Sequence, residues 1–190
     1  MDLKNKILEK AVKAFNPLRI RVEGSLQDQV VYNVRNNVEN CQPFQKQDKD
    51  FLFSFSIGCL DMKIWDKLNK FFNQTQVKVT FDLNALIGRK ESEIEKTLWV
   101  GDWYSHDARD LMSYTISKRY KIESYELRNN PDVVHRVQDP FFLTQIAQTF
   151  KDVSNVVDKF APWSAAWVDE SVGAYNSGSQ LVPYTFAFGF

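Results

Sequence analysis

Apolar positions fall into alternating helical and strand spacings along the chain. Leu3, Ile7, Leu8, Ala11, Val12 and Phe15 repeat at helical intervals behind Asp2, a candidate N-cap, and Pro17 ends the run, which predicts an amphipathic helix. Leu18 to Val22 then alternates apolar with basic residues and stops at Gly24-Ser25, as a strand and turn do. Residues 26–60 are polar, with Asn, Gln, Asp and Lys around Phe44, Phe51, Phe53 and Phe55, and predict a long loop, which in a compact domain is usually functional. The pattern then repeats. Asp61 caps a helix through Met62, Trp65, Leu68, Phe71 and Phe72, followed by the strand Val77 to Leu83. Ser105 caps a helix carrying Ala108, Leu111, Met112 and Ile116, followed by the strand Ile122 to Leu127. Pro140, behind Asp139, opens a helix with Leu143, Ile146, Phe150, Val153, Val157 and Phe160 on one face, followed by the strand Ser164 to Glu170. Helix then strand, four times over, predicts an α/β fold with a parallel sheet covered by helices.

Composition narrows the class. Lys plus Arg equal Asp plus Glu at 24 each, and 44% of residues are hydrophobic, as in an ordinary globular protein. The zero net charge gives no general attraction to nucleic acid or an anionic membrane, and no apolar stretch is long enough to cross a bilayer. The N-terminus lacks the apolar core of a signal peptide. Cys41 and Cys59 are too few and wrongly spaced for a zinc site, so no metal is expected; they read equally as a disulfide or as two buried thiols. At 190 residues the chain is one domain, and too short for a complete (β/α)8 barrel, which usually takes about 250.

In parallel α/β folds the chemistry collects at the carboxyl ends of the strands. Those ends read Glu23-Gly24-Ser25, Asp82-Leu83-Asn84, Glu126-Leu127-Arg128-Asn129-Asn130 and Asp169-Glu170-Ser171. Solvated loops are polar too, and position alone favours that reading. Trp103, Tyr104, Trp163, Trp167 and Tyr175 are rings that can stack on sugars, although Trp163 and Trp167 are read here as packing. His106 and His135 stand apart from any partner at ligand spacing and are read as non-catalytic. Asn73-Gln74-Thr75 is a glycosylation sequon, meaningful on a secretory route.

Longer segments carry a resemblance. Trp103 to Asp110 (WYSHDARD) with Tyr125 to Asn130 (YELRNN), Leu18 to Gln29 (LRIRVEGSLQDQ), Phe81 to Leu86 (FDLNAL), Asp139 to Phe150 (DPFFLTQIAQTF) and Ala161 to Gly178 (APWSAAWVDESVGAYNSG) resemble the heparanase-like glycoside hydrolases, plant members above all. The resemblance implies a (β/α) barrel enzyme that cleaves β-glucuronides with retention, without cofactor, usually with an attached β-sandwich domain and a secreted, cell-wall or endomembrane location. It implies Glu170 as nucleophile, Tyr175, Asn176, Ser177 and Gly178 as a loop receiving the glucuronate carboxylate, and Asn84 and Asn129 as residues lining the sugar site.

The likeness breaks at the acid. Where the family reads Glu-Leu-Gly-Asn-Glu, this chain has Asn130 in place of the final Glu, and an amide supplies no proton. Glu126 lies about 13 Å back along the strand. Glu23, Asp82, Arg128, Asp169 and Val172 stand where the plant-type motif has Gly. Asn130 and Glu170 are 40 residues apart, whereas the family's three intervening β/α units call for roughly 90. The expectation is therefore a partial barrel over residues 1–190, with an internal deletion near 130–138 and with outer strands and the β-sandwich missing. Its activity is very low or absent; the alternatives are a carbohydrate- or partner-binding remnant and an unstable truncated product.

Overall fold

A computed structural model describes residues 2–24, 26–35, 38–47, 55–93, 99–128 and 140–169. The elements run α1 (Lys6–Ala14), β1 (Arg19–Val22), the 3-10 turn η1 (Gln27–Gln29), β2 (Val30–Asn33), β3 (Gly58–Asp61), α2 (Met62–Thr75), β4 (Lys78–Leu83), β5 (Lys90–Glu91), β6 (Trp99–Val100), α3 (His106–Ser117), β7 (Ser124–Arg128), α4 (Pro140–Phe160) and β8 (Ala165–Asp169). The main sheet is β1-β4-β7-β8, parallel throughout and in chain order, with α2, α3 and α4 on the successive connections. This is the predicted parallel α/β arrangement, compatible with a partial barrel.

Side-chain alternation divides the sheet faces. Val79, Phe81 and Leu83 of β4 and Tyr125 and Leu127 of β7 turn to the helices and are buried. Trp65 of α2 meets the Phe81 ring edge-on at 4.9 Å and donates its indole N–H to Thr115 Oγ1 of α3 at 3.0 Å. Leu111, Met112, Val153 and Val157 complete this core. On the opposite face lie Arg19, Arg21, Thr80, Asp82, Ser124, Glu126 and Trp167. That face is concave. Arg21 of β1 reaches Glu126 of β7 past the intervening β4, and the Arg19 guanidinium lies 4.9 Å from the ring centre of Trp167 on β8. In a flat sheet β1 lies about 10 Å from β7 and about 14 Å from β8, and curling of the sheet shortens both spans.

Three expectations change. Asn5, not Asp2, caps α1: its Oδ1 accepts from the N–H groups of Ile7 and Leu8 at 2.8 and 3.3 Å, while Asp2 bonds the Lys4 N–H. Ser105 precedes α3 but makes no side-chain cap, whereas Asp61 Oδ1 caps α2 through the Lys63 N–H at 2.6 Å. The stretch 26–60 is more than a loop, because β2 and β3 pair in parallel and Cys59 is bonded to Cys41. Gly58 opens β3 under the Phe44 ring, where any Cβ would lie 2.5 Å from a ring carbon.

Candidate functional site

The carboxyl ends of β1, β4, β7 and β8 lie at one end of the sheet. Register pairs Arg128 with Asp169, so the strand leading to Asn130 runs directly beside the strand leading to Glu170, with α4 between them in sequence among the described residues. Asn129, Asn130, Glu170, Tyr175, Asn176, Ser177 and Gly178 lie outside the described residues, as does His135.

The concave face below these ends holds charge in fixed pairs. Arg21 Nε donates to Glu126 Oε1 at 3.0 Å, and its Nη2 lies 2.6 Å from Glu23 Oε2. The Glu126 side chain is 3% exposed, so the guanidinium supplies what water would otherwise give its carboxylate. Thr80 and Ser124, both fully buried, share a hydrogen bond of 2.8 Å, and Arg19 Nη1 donates to Thr80 Oγ1. Asp82 is fully buried in the same row. Glu23 is followed by Gly24 at φ +129°, a backbone conformation that L side chains rarely adopt.

Asn84, expected at the sugar, is buried and organises the end of β4. Its Oδ1 accepts from the N–H groups of Leu86 and Ile87, both at 3.0 Å, and its Nδ2 donates to the Val30 carbonyl at 2.7 Å. Its backbone N–H donates to the Tyr32 hydroxyl, and its carbonyl accepts from the Trp103 indole at 2.9 Å. Burial pushes the Tyr32 hydroxyl far above its ordinary pKa, with Asp82, Asp107 and Asp28 adding to the rise. Burial also raises the Asp107 carboxyl and lowers the Arg89 guanidinium, which donates to Thr149 Oγ1 at 2.6 Å. The Asn84 hub therefore ties β2 and the Trp103 loop to the end of β4.

Tyr32, Asp28 and Arg21 carry this end of the sheet, and sequence reasoning passed over them. Apolar Val30 and Val31 before Tyr32 were the available signal for β2. Of the candidate stacking rings, Trp103 is buried, Tyr104 is 52% exposed and stacks on His106 at 4.2 Å, and Trp167 lies under Arg19. Trp163 and Trp167 are 56% and 39% exposed, so neither is a core residue, and Trp167 packs at the rim under Arg19. No group of His, Cys, Asp and Glu among the described residues could hold a metal ion, and no described helix is long and apolar enough to cross a membrane.

Comparison with known proteins follows the same strands. The profile of glycosyl hydrolase family 79, N-terminal domain, matches in two stretches, residues 1–132 and 128–190. Heparanase-like protein 1 of Arabidopsis thaliana is 35% identical over 269 positions, covering 100% of this chain and 49% of its own length. Heparanase-like protein 2 of the same plant is 33% identical with the same coverage. Baicalin-beta-D-glucuronidase of Scutellaria baicalensis is 34% identical over 140 positions, covering 68% of this chain and 26% of its own. The chain thus spans about half the length of the curated relatives it matches over its whole extent. A four-stranded parallel sheet with polar strand ends, matched along the whole sequence, places the chain in glycosyl hydrolase family 79 as a relative of the heparanase-like glycoside hydrolases.

Proposed function

We propose that the chain descends from retaining β-glucuronide hydrolases and that its own turnover is very low or absent. The observation that carries this reading is Asn130 at the position of the acid. Retaining cleavage needs two carboxyl groups: one protonates the leaving oxygen and later activates water, while the other attacks the anomeric carbon. Glu170 fills the second role by resemblance. An amide at Asn130 leaves the first unfilled, which removes help typically worth about 10² to 10⁴ in rate. Glu126 is no substitute, because its carboxylate is buried against Arg21.

The internal deletion near 130–138 belongs to the same reading. Two stretches of family match overlap only at 128–132, where β7 ends, and the alignment to the first relative needs 269 positions for a chain of 190 residues. Both observations support loss of intervening β/α units from a (β/α)8 barrel. The names of the relatives support a glucuronide-bearing glycan or glycoside as ligand, and the greater length of those proteins supports a further β-sandwich domain in the ancestral enzyme. The Cys41–Cys59 bond supports an oxidising, secretory location.

Hydrolysis of an aryl β-glucuronide by the purified chain tests the proposal. Release at or near the uncatalysed rate is expected; clear turnover that Glu170→Gln abolishes would overturn the proposal. The polar concave face, whose ion pairs are intact, favours a sugar-binding remnant as the second reading, and calorimetry with glucuronic acid separates the two.

A further inference from the structure

At the end of the sheet opposite the candidate site, a cavity of about 1110 Å³ opens between α2, the last turn of α3 and the amino ends of β4 and β7. Its walls carry six cations: Lys67 and Lys70 on α2, Lys78 opening β4, and Lys118, Arg119 and Lys121 on the turn after α3. Two acids line it, and both are engaged. Asp66 accepts the hydroxyls of Tyr114 at 3.1 Å and Tyr120 at 2.9 Å, and Glu123 pairs with Lys78 at 2.9 Å and Arg19 at 3.6 Å. Lys118 lies over the Tyr114 ring at 5.3 Å. Lys67, Lys70, Arg119 and Lys121 are exposed and have no ion pair among the described residues. At the rim stands Trp163, 56% exposed.

We infer that this groove is a second, non-catalytic binding site for an acidic, uronate-containing oligosaccharide. An exposed indole offers a flat apolar face to a sugar ring, and lysine and arginine beside it pair with ring carboxylates. The whole chain has no net charge, so the attraction is local to the groove. The cationic groups stand on α2, the start of β4 and the turn after α3; Asp66 ties α2 to α3 and that turn, Glu123 holds Lys78, and ligand binding need not order a loop. The groove lies at the opposite end of the sheet from the strand ends, so binding there is independent of any turnover at those ends.

The test is calorimetric titration of the bacterially produced, unglycosylated chain with a short oligogalacturonate. Binding is expected, weakening as salt is raised, with no uptake of a neutral cello-oligosaccharide. Lys70→Gln with Lys121→Gln should weaken it about tenfold, and Trp163→Ala should weaken it separately. Arg119→Asn provides a further charge removal that suits the left-handed backbone at φ +59°, and retained cooperative melts establish that each variant folds. Absence of oligogalacturonate binding, binding unchanged in every folded variant, or tighter binding of a single-stranded oligonucleotide would each overturn the inference.

Discussion

Arg21 and Glu126 form an ion pair whose two members differ sharply in exposure: the guanidinium side chain is 37% exposed and the carboxylate 3%. Removing the exposed partner should therefore cost more than a surface pair would, because the buried charge loses its guanidinium. Arg21→Met is expected to lower stability by about 2 kcal/mol, and Arg21→Met with Glu126→Leu to recover most of that loss, because removing both charges also removes the need to solvate the carboxylate. Urea unfolding of the single and double variants measures the coupling; additive losses would show that the two side chains act separately. The alternation of Leu18 to Val22 disclosed β1, but the pairing was not legible, since the partners lie 105 residues apart and meet only once the strand order is known. Asn84 was legible as a strand-end polar residue, while its bonds to Leu86, Ile87 and Val30 depend on how the loop after β4 folds back.

The elements with a strong apolar period were the ones the sequence disclosed. β1, β4, β7 and β8 fall within a few residues of their expected spans: β4 and β7 bury side chains on the helix-facing side, and Val22 of β1 and Ala166 of β8, partly buried, pack against the same core. β2 and β3 escaped because each is four residues long, their surroundings are polar, and they stabilise one another only in parallel, with Cys59 tethered to Cys41. The tether closes a sequence separation of 18, for which loss of unfolded-chain entropy gives about 3 kcal/mol. Cys41→Ser with Cys59→Ser is expected to lower unfolding stability by about that amount while leaving the α2 to β8 core folded; an unchanged urea midpoint would contradict it. Between α2 and α3, the Trp65–Thr115 bond is joined by Asp66 with Tyr114, and Asp66 also holds Tyr120 of the following turn. Burial, then the Asp66 hydrogen bond and charge, raise the Tyr120 hydroxyl to about 12 from 10. A raised pKa stabilises the fold fully below the unfolded value, and that contribution disappears as pH climbs from about 10 through 12. Melts over this range should fall more steeply for the wild type than for Tyr120→Phe, and parallel curves would refute the assignment.

At the scale of the whole molecule, the described sheet has four parallel strands, with polar side chains paired across one face. What the sequence could not disclose is adjacency. Spacing between Asn130 and Glu170 showed that chain was short between them, but only the register of Arg128 with Asp169 makes their strands immediate neighbours. Neighbouring strands are about 4.8 Å apart, whereas strands separated by three β/α units address a bound sugar from different sides of a barrel mouth. Position 130 follows β7 by two residues and Glu170 follows the adjacent β8 by one, whereas protonation of the leaving oxygen and attack at the anomeric carbon require separate directions. Asn130→Glu alone is therefore expected to change kcat/KM for aryl β-glucuronides by less than about tenfold, against the 10² to 10⁴ that a correctly placed general acid supplies. A gain of about a hundredfold or more, abolished by adding Glu170→Gln, would mean that the acid side chain was the single missing part and that the adjacent strands still present both carboxyls to the sugar.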